Sequence, residues 1–593
     1  MRCIERVELH DQRKELSMAA LRSMRAICRA GVLVSLIIIA GTHGLAQSDT
    51  IQTHVPALKD VYKHDFRIGC LLSYRHVGFA TDPVVPGQSA VAFPNGGYLI
   101  KFHMNSMSPG NNMKPQYTVD LATSAAAWTA ATTQAAKDSI DAHPVIRFNG
   151  DIIAQLNWAQ RQGFTFRGHT LVWHSQTPGT GFFRTGYAAT GTRLTKAQMT
   201  ARLEGYIGEV IRQIHAGWPG VLSAMDVVNE AINDGSGTDR VTGNEWYTTF
   251  GDNTFIMKAF EFARQYTVLY GETQMKLYYN DYNTHVAAKA NGIVRLCGPI
   301  FRAGYLDGIG MQDHDQMTSP TAADWIATYS KFDTICTEMA VTELDVATGL
   351  ASPPDSILRR QANQYGQLFK CFVERSSFSG RGKIVSVSKD GLNDASTFVT
   401  NQATSLWDGQ NKCKPAFYAV VKVGQCYNAV DSMLHHADSL AQISYTPESW
   451  ARLTAMAARA RNVMDRNYSV TTSAADSLGM VNDSLKAALD GLIRIVNDVA
   501  DRGSRPTVFS LSQNYPNPFN PSTAIQVRIA DRQLTIVSVY DGLGREVARL
   551  MHEVKEPGTY TVQWDARGMA SGAYYARMTA GPFTQTRLMM LVR

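Results

Sequence analysis

Val227-Val228-Asn229-Glu230-Ala231 and, 113 positions further from glutamate to glutamate, Val341-Thr342-Glu343-Leu344-Asp345 decide the fold of this chain. Each is a short β-branched run leading into a carboxylate, the way a barrel strand delivers an acid to the C-terminal rim where barrel enzymes keep their chemistry. Eight βα units of a closed barrel occupy about 250 residues, so this interval holds roughly three of them. Glu230 is therefore expected near the end of a fourth strand and Glu343 near the end of a seventh. Two acids at one rim suit glycosidic-bond hydrolysis. One carboxyl protonates the leaving oxygen while the other attacks the sugar, from about 5 Å away in the retaining version.

Working outward, residues 58–426 alternate apolar strand-like runs with longer helical patterns, the signature of repeated βα units. The runs Thr165 to Trp173, Ala224 to Val228, Met275 to Tyr279, Gly308 to Met311 and Met339 to Leu344 read as strands, and Thr200 to His215 and Asn253 to Tyr270 as helices. An open doubly wound sheet usually carries a glycine-rich phosphate turn near its first strand, and none is found, so the expected fold class is α/β, a closed (β/α)8 TIM barrel.

The full length of 593 residues exceeds one compact core and implies further domains. Of the formal charge of +6, three units belong to residues 1–46, which hold seven basic and four acidic side chains. The remainder has no basic block, and nucleic acid is not an expected partner. Within those first residues Arg22, Arg25 and Arg29 precede the apolar run Gly31 to Ala40 and the small-residue site Gly44-Leu45-Ala46. This pattern reads as a secretory signal peptide over residues 1–46, with Met18 an alternative start. The apolar run is too short for a membrane span, which needs about 20 residues. Export permits disulfides, and Cys413 with Cys426 is the favoured pair among the six cysteines beyond the leader. No close metal-type cysteine pair occurs, and neither metal nor organic cofactor is expected.

Residues 428–500 are rich in Ala, Leu, Met, Asp and Ser, with helical stretches around Ala429 to Ile443, Pro447 to Met464 and Ser473 to Val496. A small three-helix bundle is expected there, Thr446-Pro447-Glu448 giving an N-cap followed by proline at the first helical position. Tyr445 to Trp450 with Leu453 resembles the FIVAR module of large extracellular glycosidases, which implies a spacer or, alternatively, a sugar-binding unit. Over residues 507–593, alternating runs at Ala524 to Ile529, Thr535 to Tyr540, Thr559 to Trp564 and Ala573 to Met578 are separated by turns, so a small β-sandwich follows. Its opening tract, Asn514-Tyr515-Pro516-Asn517-Pro518-Phe519-Asn520-Pro521, resembles the C-terminal sorting domain of the type IX secretion system. That likeness implies engagement with secretion machinery, passage across an outer membrane, and a secreted or cell-surface location.

Five stretches of the barrel region together resemble glycoside hydrolase family 10, chiefly endo-β-1,4-xylanases. They are Arg167 to Gln176 (RGHTLVWHSQ), Asp226 to Glu230 (DVVNE), Tyr279 to Asn283 (YNDYN), Asp307 to His314 (DGIGMQDH) and Thr342 to Asp345 (TELD), in the family's order. The resemblance implies that Glu230 is the general acid/base and Glu343 the nucleophile, with xylan or a related polysaccharide as substrate; a monomer is the default expectation. An acid working near neutrality needs a less polar setting or a negative neighbour, whereas a nucleophile must stay ionised among donors. Asn229 suits a donor to the sugar 2-hydroxyl, and His314 with Asp345 would hold Glu343 charged and oriented. His169, Trp173, Gln176, Asn111 and Lys114 match the family's substrate-binding floor and walls. Gln312 and Asn280 are candidates for orienting the acid/base, and Tyr279 or Tyr282 for the leaving-group side.

Two departures stand out. The family's Glu-Asn-Glu-Met-Lys appears as Gly110-Asn111-Asn112-Met113-Lys114, and its Trp-Gly-x-x-Asp-x-x-Ser-Trp corresponds to Asp390-Gly391 through Phe398. An acid and two indoles are thereby absent from the side that grips the glycone, with Trp407 a candidate to refill the roof. Altered glycone specificity on the same barrel is accordingly one alternative to a plain xylanase. A non-catalytic surface carbohydrate-binding protein is another, although binding alone requires no second carboxylate.

Overall fold

The computed structural model describes residues 51–79, 81–91, 95–495 and 506–592; the expected leader, with Cys3 and Cys28, lies outside the described residues. The chain divides into two compact units, the first running to Leu440 and including Glu448–Gly491, the second comprising Ala441–Pro447 and the residues from Leu492 onward.

In the first unit the strands are β1 Arg67–Leu72, β2 Ser106–Pro109, β3 Thr165–Trp173, β4 Leu222–Asn229, β5 Lys276–Asp281, β6 Gly308–Met311, β7 His314–Gln316, β8 Glu338–Ala347 and β9 Ile384–Asp390. β1 to β6 pair in sequence order, β6 pairs with β8, β8 with β9 and β9 with β1, so eight parallel strands close into a barrel. β7 is a short strand beside the end of β8, with His314 opposite Asp345. The fold is the expected (β/α)8 barrel. The helices that cover its strands include α1 Gly96–His103, α2 Gly150–Gln162, α3 Lys196–Gly217, α4 Thr254–Leu269, α5 Ala287–Arg302, α6 Ala322–Phe332, α7 Asp355–Val373 and α8 Pro415–Asp438.

Local chemistry sets these boundaries. α3 begins at a capping box, in which Thr195 accepts from Gln198 N at 3.3 Å and Gln198 Oε1 accepts from Thr195 N at 3.0 Å. α2 is capped by Asn149, which accepts from Ile152 N at 3.0 Å, and stops at Gly163, whose φ of 70° favours glycine. The strands are covered on both faces: every residue of β3 between its two ends is buried, as parallel strands under helices must be. Each fully buried Leu, Ile or Val contributes about 1.5–3 kcal/mol. On β6 a side chain at Gly308 would collide with Tyr278, and one at Gly310 with Asn280, so both glycines open the barrel interior to larger neighbours.

Of the three helices expected after the barrel, the first starts earlier than its composition suggests. The stretch from Ala429 is the second half of α8, which already started at Pro415. α9 Pro447–Asp465 and α10 Ala474–Asp490 then belong to the barrel unit, burying Leu453, Leu478, Val481 and Leu485. Lys422 on α8 pairs with Asp476 at 2.8 Å, and Asn363 on α7 donates to Val470 O at 2.9 Å. The cysteine expectation also fails, because Cys413 and Cys426 are both free. Cys413 precedes α8 while Cys426 lies about 17 Å along it at 1.5 Å per residue, beyond the roughly 7 Å a disulfide spans between Cα atoms.

The second unit holds β10 Ser510–Leu511, β11 Ser522–Ile529, β12 Gln533–Tyr540, β13 Glu546–Lys555, β14 Gly558–Asp565, β15 Gly572–Ala580 and β16 Phe583–Leu591. They form two antiparallel sheets, β10-β11-β14 and β13-β12-β15-β16. Ile525, Val527, Val537, Val539, Trp564, Met578 and Met589 fill the core between them. The proline-rich opening is anchored by buried Phe519 and by Asn514, whose amide donates to Pro516 O at 2.9 Å and Thr523 Oγ1 at 3.0 Å.

Candidate active site

The barrel interior is polar towards the rim. Arg167 on β3 forms a buried ion pair with Asp226 on β4 and lies 4.2 Å from the centre of the Tyr278 ring. Asp226 Oδ2 also pairs with His169 Nδ1 at 2.9 Å. Above this layer the register slips between His169 and Val172 on β3, between Asp226 and Val228 on β4, and between Val341 and Leu344 on β8. Such irregularities re-aim side chains, which is why they collect beside sites.

Asn229 is the last residue of β4, and Glu230 follows it with a left-handed φ of 54°. Gln176, Asn283 and Asp313, which follow β3, β5 and β6, share this conformation at φ 42°, 49° and 54°. A non-glycine residue held there costs on the order of 1–3 kcal/mol, and its persistence marks a place the fold over-determines. Around the half-buried Glu230 carboxyl stand neutral donors: Trp173 Nε1 at 2.9 Å on Oε2, with Gln312 Nε2 at 3.0 Å and Asn229 Nδ2 at 3.1 Å on Oε1.

Glu343 sits within β8, the seventh barrel strand, and is only 8% exposed. Asn280 Nδ2 donates to its Oε1 at 3.2 Å and to Asn229 Oδ1 at 3.0 Å, while Thr342 Oγ1 donates to Asn280 Oδ1 at 2.8 Å. The two acids are thus joined through Asn229 and Asn280. His314 bridges Glu343 Oε2, 3.4 Å from Nε2, and Asp345 Oδ2, 3.1 Å from Nδ1. Burial alone would raise the Glu343 pKa, but the His314 hydrogen bond and the charges of His169, His314 and Lys114 outweigh it and hold the carboxyl at about 2. Burial likewise disfavours the His314 cation, yet Asp345 and Glu343 hold its pKa well above the usual histidine value. The result is a carboxylate kept charged beside an imidazolium.

Lys114 Nζ lies 4.6 Å from the centre of the Trp173 ring and donates to Asn111 Oδ1 at 2.8 Å and Gln176 Oε1 at 2.9 Å; burial lowers its pKa against the pull of Glu343, Glu230 and Asp390. Asn229, Asn280, Gln312 and Trp173 thus link to Glu230, and Asn280, His314 and Asp345 to Glu343, while Lys114, Asn111 and Gln176 adjoin Trp173. One carboxyl held charged beside an imidazolium and a second among neutral donors are the two kinds of acid that double displacement at a sugar carbon requires.

Residues 57–423 match the profile of glycosyl hydrolase family 10, well over half of the chain. The chain belongs to glycosyl hydrolase family 10. Endo-1,4-beta-xylanase Y of Acetivibrio thermocellus is 32% identical over 398 residues, covering 64% of this chain and 33% of that protein. The beta-1,4-xylanase of Dictyoglomus thermophilum is 27% identical over 66% of this chain and 97% of its own length. Among solved structures, the N-terminal endo-1,4-beta-D-xylanase modules of Clostridium thermocellum, complexed with xylohexaose, align at a TM-score of 0.52 with 30% identity, covering 63% of this chain and 68% of that one. The chain spans 33%, 32% and 54% of the length of three of the curated relatives it matches, all larger proteins. Residues 513–591 match the secretion system C-terminal sorting domain.

At the positions where the sequence departs from the family-10 pattern, the structure corrects one expectation. Trp407 is fully buried, packed against His103 and Phe417, and cannot roof the cleft. Phe398 instead stands 81% exposed at the rim, its ring centre 6.3 Å from that of His314. Its N–H donates to Asp390 Oδ2 at 2.7 Å, and burial pushes the Asp390 carboxyl up to about 6 despite the His314 charge and that hydrogen bond. A Cβ at Gly110 would make only ordinary contacts, so the missing side chain is not excluded by crowding. The Arg167–Asp226 pair, the Thr342 hydroxyl and the Arg240 contact to the Glu230 carbonyl are parts of the site that motif reading passed over. The first two lie inside quoted motifs, and only their inward direction was unreadable.

Proposed function

We propose that this chain is a retaining endo-β-1,4-xylanase in which Glu230 is the acid/base and Glu343 the nucleophile. Glu343 attacks the anomeric carbon while Glu230 protonates the departing oxygen, giving a covalent glycosyl-enzyme that water releases with Glu230 as base. The observation that carries this reading is the opposite setting of two carboxyls joined through Asn229 and Asn280. Asn229, His314 and Asp345 support the pair. His169, Trp173, Gln176, Asn111, Lys114, Gln312 and Asn280 form the substrate surface, and the monomer is the working unit. A signal peptide over residues 1–46 and the sorting domain direct the protein through the type IX system, across an outer membrane, to release or surface attachment.

Incubation of the purified chain with plain xylan, decorated xylan and an aryl cellobioside tests the assignment. Reducing ends are expected from xylan, with the product anomer first formed retaining the β configuration. Xylan binding without bond cleavage would sink it in favour of a carbohydrate-binding protein. Faster cleavage of decorated xylan than of plain xylan is the outcome that Gly110, Asp390 and Phe398 would favour over the plain-xylan reading.

A further inference from the structure

The left-handed backbone at Glu230 is held from three sides. Glu230 N donates to Asn280 O at 2.9 Å, Arg240 Nε donates to Glu230 O at 3.0 Å, and Ala231 N donates to the Tyr279 hydroxyl at 2.9 Å. The first is a strand-end bond between main chains. The third is different in kind, because a fully buried phenol supplies the acceptor and is itself fixed: Tyr279 OH donates to Asp281 Oδ2 at 2.6 Å. Asp281 in turn accepts from Tyr282 N at 2.9 Å and pairs with the fully buried Lys289 at 2.8 Å, and Lys289 also reaches Asp234 at 2.6 Å in the loop after β4. Lys289 lies 3.6 Å from the centre of the Tyr282 ring. A chain of fixed groups therefore runs from the loop through Lys289, Asp281 and Tyr279 to the peptide directly after Glu230. A buried ion pair adds little net stability over apolar packing, so its presence behind a strained residue points to geometry as its use.

We propose that Tyr279 is a positioning residue for Glu230: its hydroxyl, oriented by Asp281, pins the Ala231 N–H and keeps the Glu230 carboxyl against Trp173, Gln312 and Asn229. The inference rests on the acid/base reading of Glu230. It specifies which half of the chemistry suffers when the clamp is cut. A displaced acid fails to protonate a poor leaving group, while attack by Glu343 on a substrate needing no protonation proceeds as before.

The test compares kcat/KM, which reports bond cleavage in the first step, for xylan and for dinitrophenyl xylobioside in wild type, Tyr279→Phe and Glu230→Ala. Tyr279→Phe is expected to lose about 10- to 100-fold on xylan, a fraction of the 10²–10⁴ that a general acid contributes, and about twofold or less on the activated aryl glycoside. Equal losses on both substrates, or no loss on xylan, would overturn the proposal, since a purely structural role moves both alike. If Tyr279→Phe does not fold, Asp281→Asn is measured instead, with the same selective loss expected and an unchanged ratio between substrates counting against the clamp. Glu230→Ala separates the two ideas: should it lose both substrates equally, the acid/base reading falls. Should it alone show the selective loss, only the Tyr279 inference falls.

Discussion

Glu343 and Glu230 stand at the seventh and fourth strands of one barrel yet occupy opposite surroundings. Glu343 lies inside β8, nearly buried, beside an imidazolium and within the field of His169 and Lys114. Glu230 lies just past β4 on left-handed backbone, half-buried, touching an indole and two amides that carry no charge. Position within the strand makes the difference. A residue inside the strand is fixed by the ladder and can be surrounded by charge, whereas one beyond it needs separate clamps but is free to meet both a leaving group and water. Burial that would disfavour a lone carboxylate is reversed at Glu343 by cations, and no cation contacts the Glu230 carboxyl among the described residues.

Removing each acid breaks the comparison most forcefully. Glu343→Ala is expected to abolish turnover of xylan and of dinitrophenyl xylobioside alike, by at least about 10⁴-fold, because no covalent intermediate forms. Glu230→Ala is expected to lose about 10²–10⁴ in kcat/KM on xylan but little on the activated substrate, whose kcat nevertheless falls because the second step still needs a base. Steady-state kinetics on the two substrates read both. Loss of the same size everywhere for Glu230→Ala would erase the distinction between the acids.

The next largest effect concerns the charge beside Glu343. With its pKa at about 2 against an ordinary 4.5, the Glu343 carboxyl is ionised near neutral pH. The sign for stability follows from linkage. A depressed carboxyl pKa contributes stability that is present above about 4.5 and is lost as pH falls towards 2, on the order of 3 kcal/mol at most. His314, with its pKa raised, contributes stability that is present below the usual histidine value and fades as pH rises through its folded one. His314→Ala should therefore move the acid limb of the kcat/KM profile upward and cut kcat/KM at neutral pH about 10- to 150-fold, the worth of a hydrogen bond to a charged group of about 1.5–3 kcal/mol. An acid limb unmoved in that variant would show that the ionisation of Glu343 does not depend on His314.

The barrel was legible because the runs from Thr165 to Trp173 and Gly308 to Met311 coincide with β3 and β6, and the acids fall at the fourth and seventh barrel strands, Glu230 just beyond the end of its strand and Glu343 inside its own. β2, Ser106-Met107-Ser108-Pro109, carries no β-branched signal and is a strand only because its neighbours pair with it on both sides. β13 was equally silent, since a mostly exposed edge strand with charged residues has no apolar alternation to read. Within the site, period-two reasoning could not bring Asp226 and Asn229 into one interior, because a register slip between Asp226 and Val228 alters their facing. The start of the first helix beyond the last strand was misplaced for a related reason. Composition shifts where α8 leaves the barrel, but α8 itself continues without a break.

The smallest expected effect lies on the glycone side, where the contrast is between two aromatics rather than two acids. Trp407, the larger ring, is fully buried and packs inside the barrel unit, while Phe398 is 81% exposed and tethered at the rim through Asp390. An exposed ring of that size is poorly explained by stability, since truncating it changes folding by about 0.5 kcal/mol or less. An aromatic ring in a stacked contact, by contrast, is worth about 0.5–1.5 kcal/mol beyond area when its partner is another ring, and a stacked sugar face is taken to be comparable. Phe398→Ala should accordingly raise KM for long xylooligosaccharides about 2- to 10-fold with kcat unchanged. Phe398→Trp should lower KM, because a wider ring covers more of the sugar. If truncation leaves KM unmoved, the exposed ring plays no part in glycone binding, and the grip on the sugar must come from the polar groups around Lys114 and Asn111 instead.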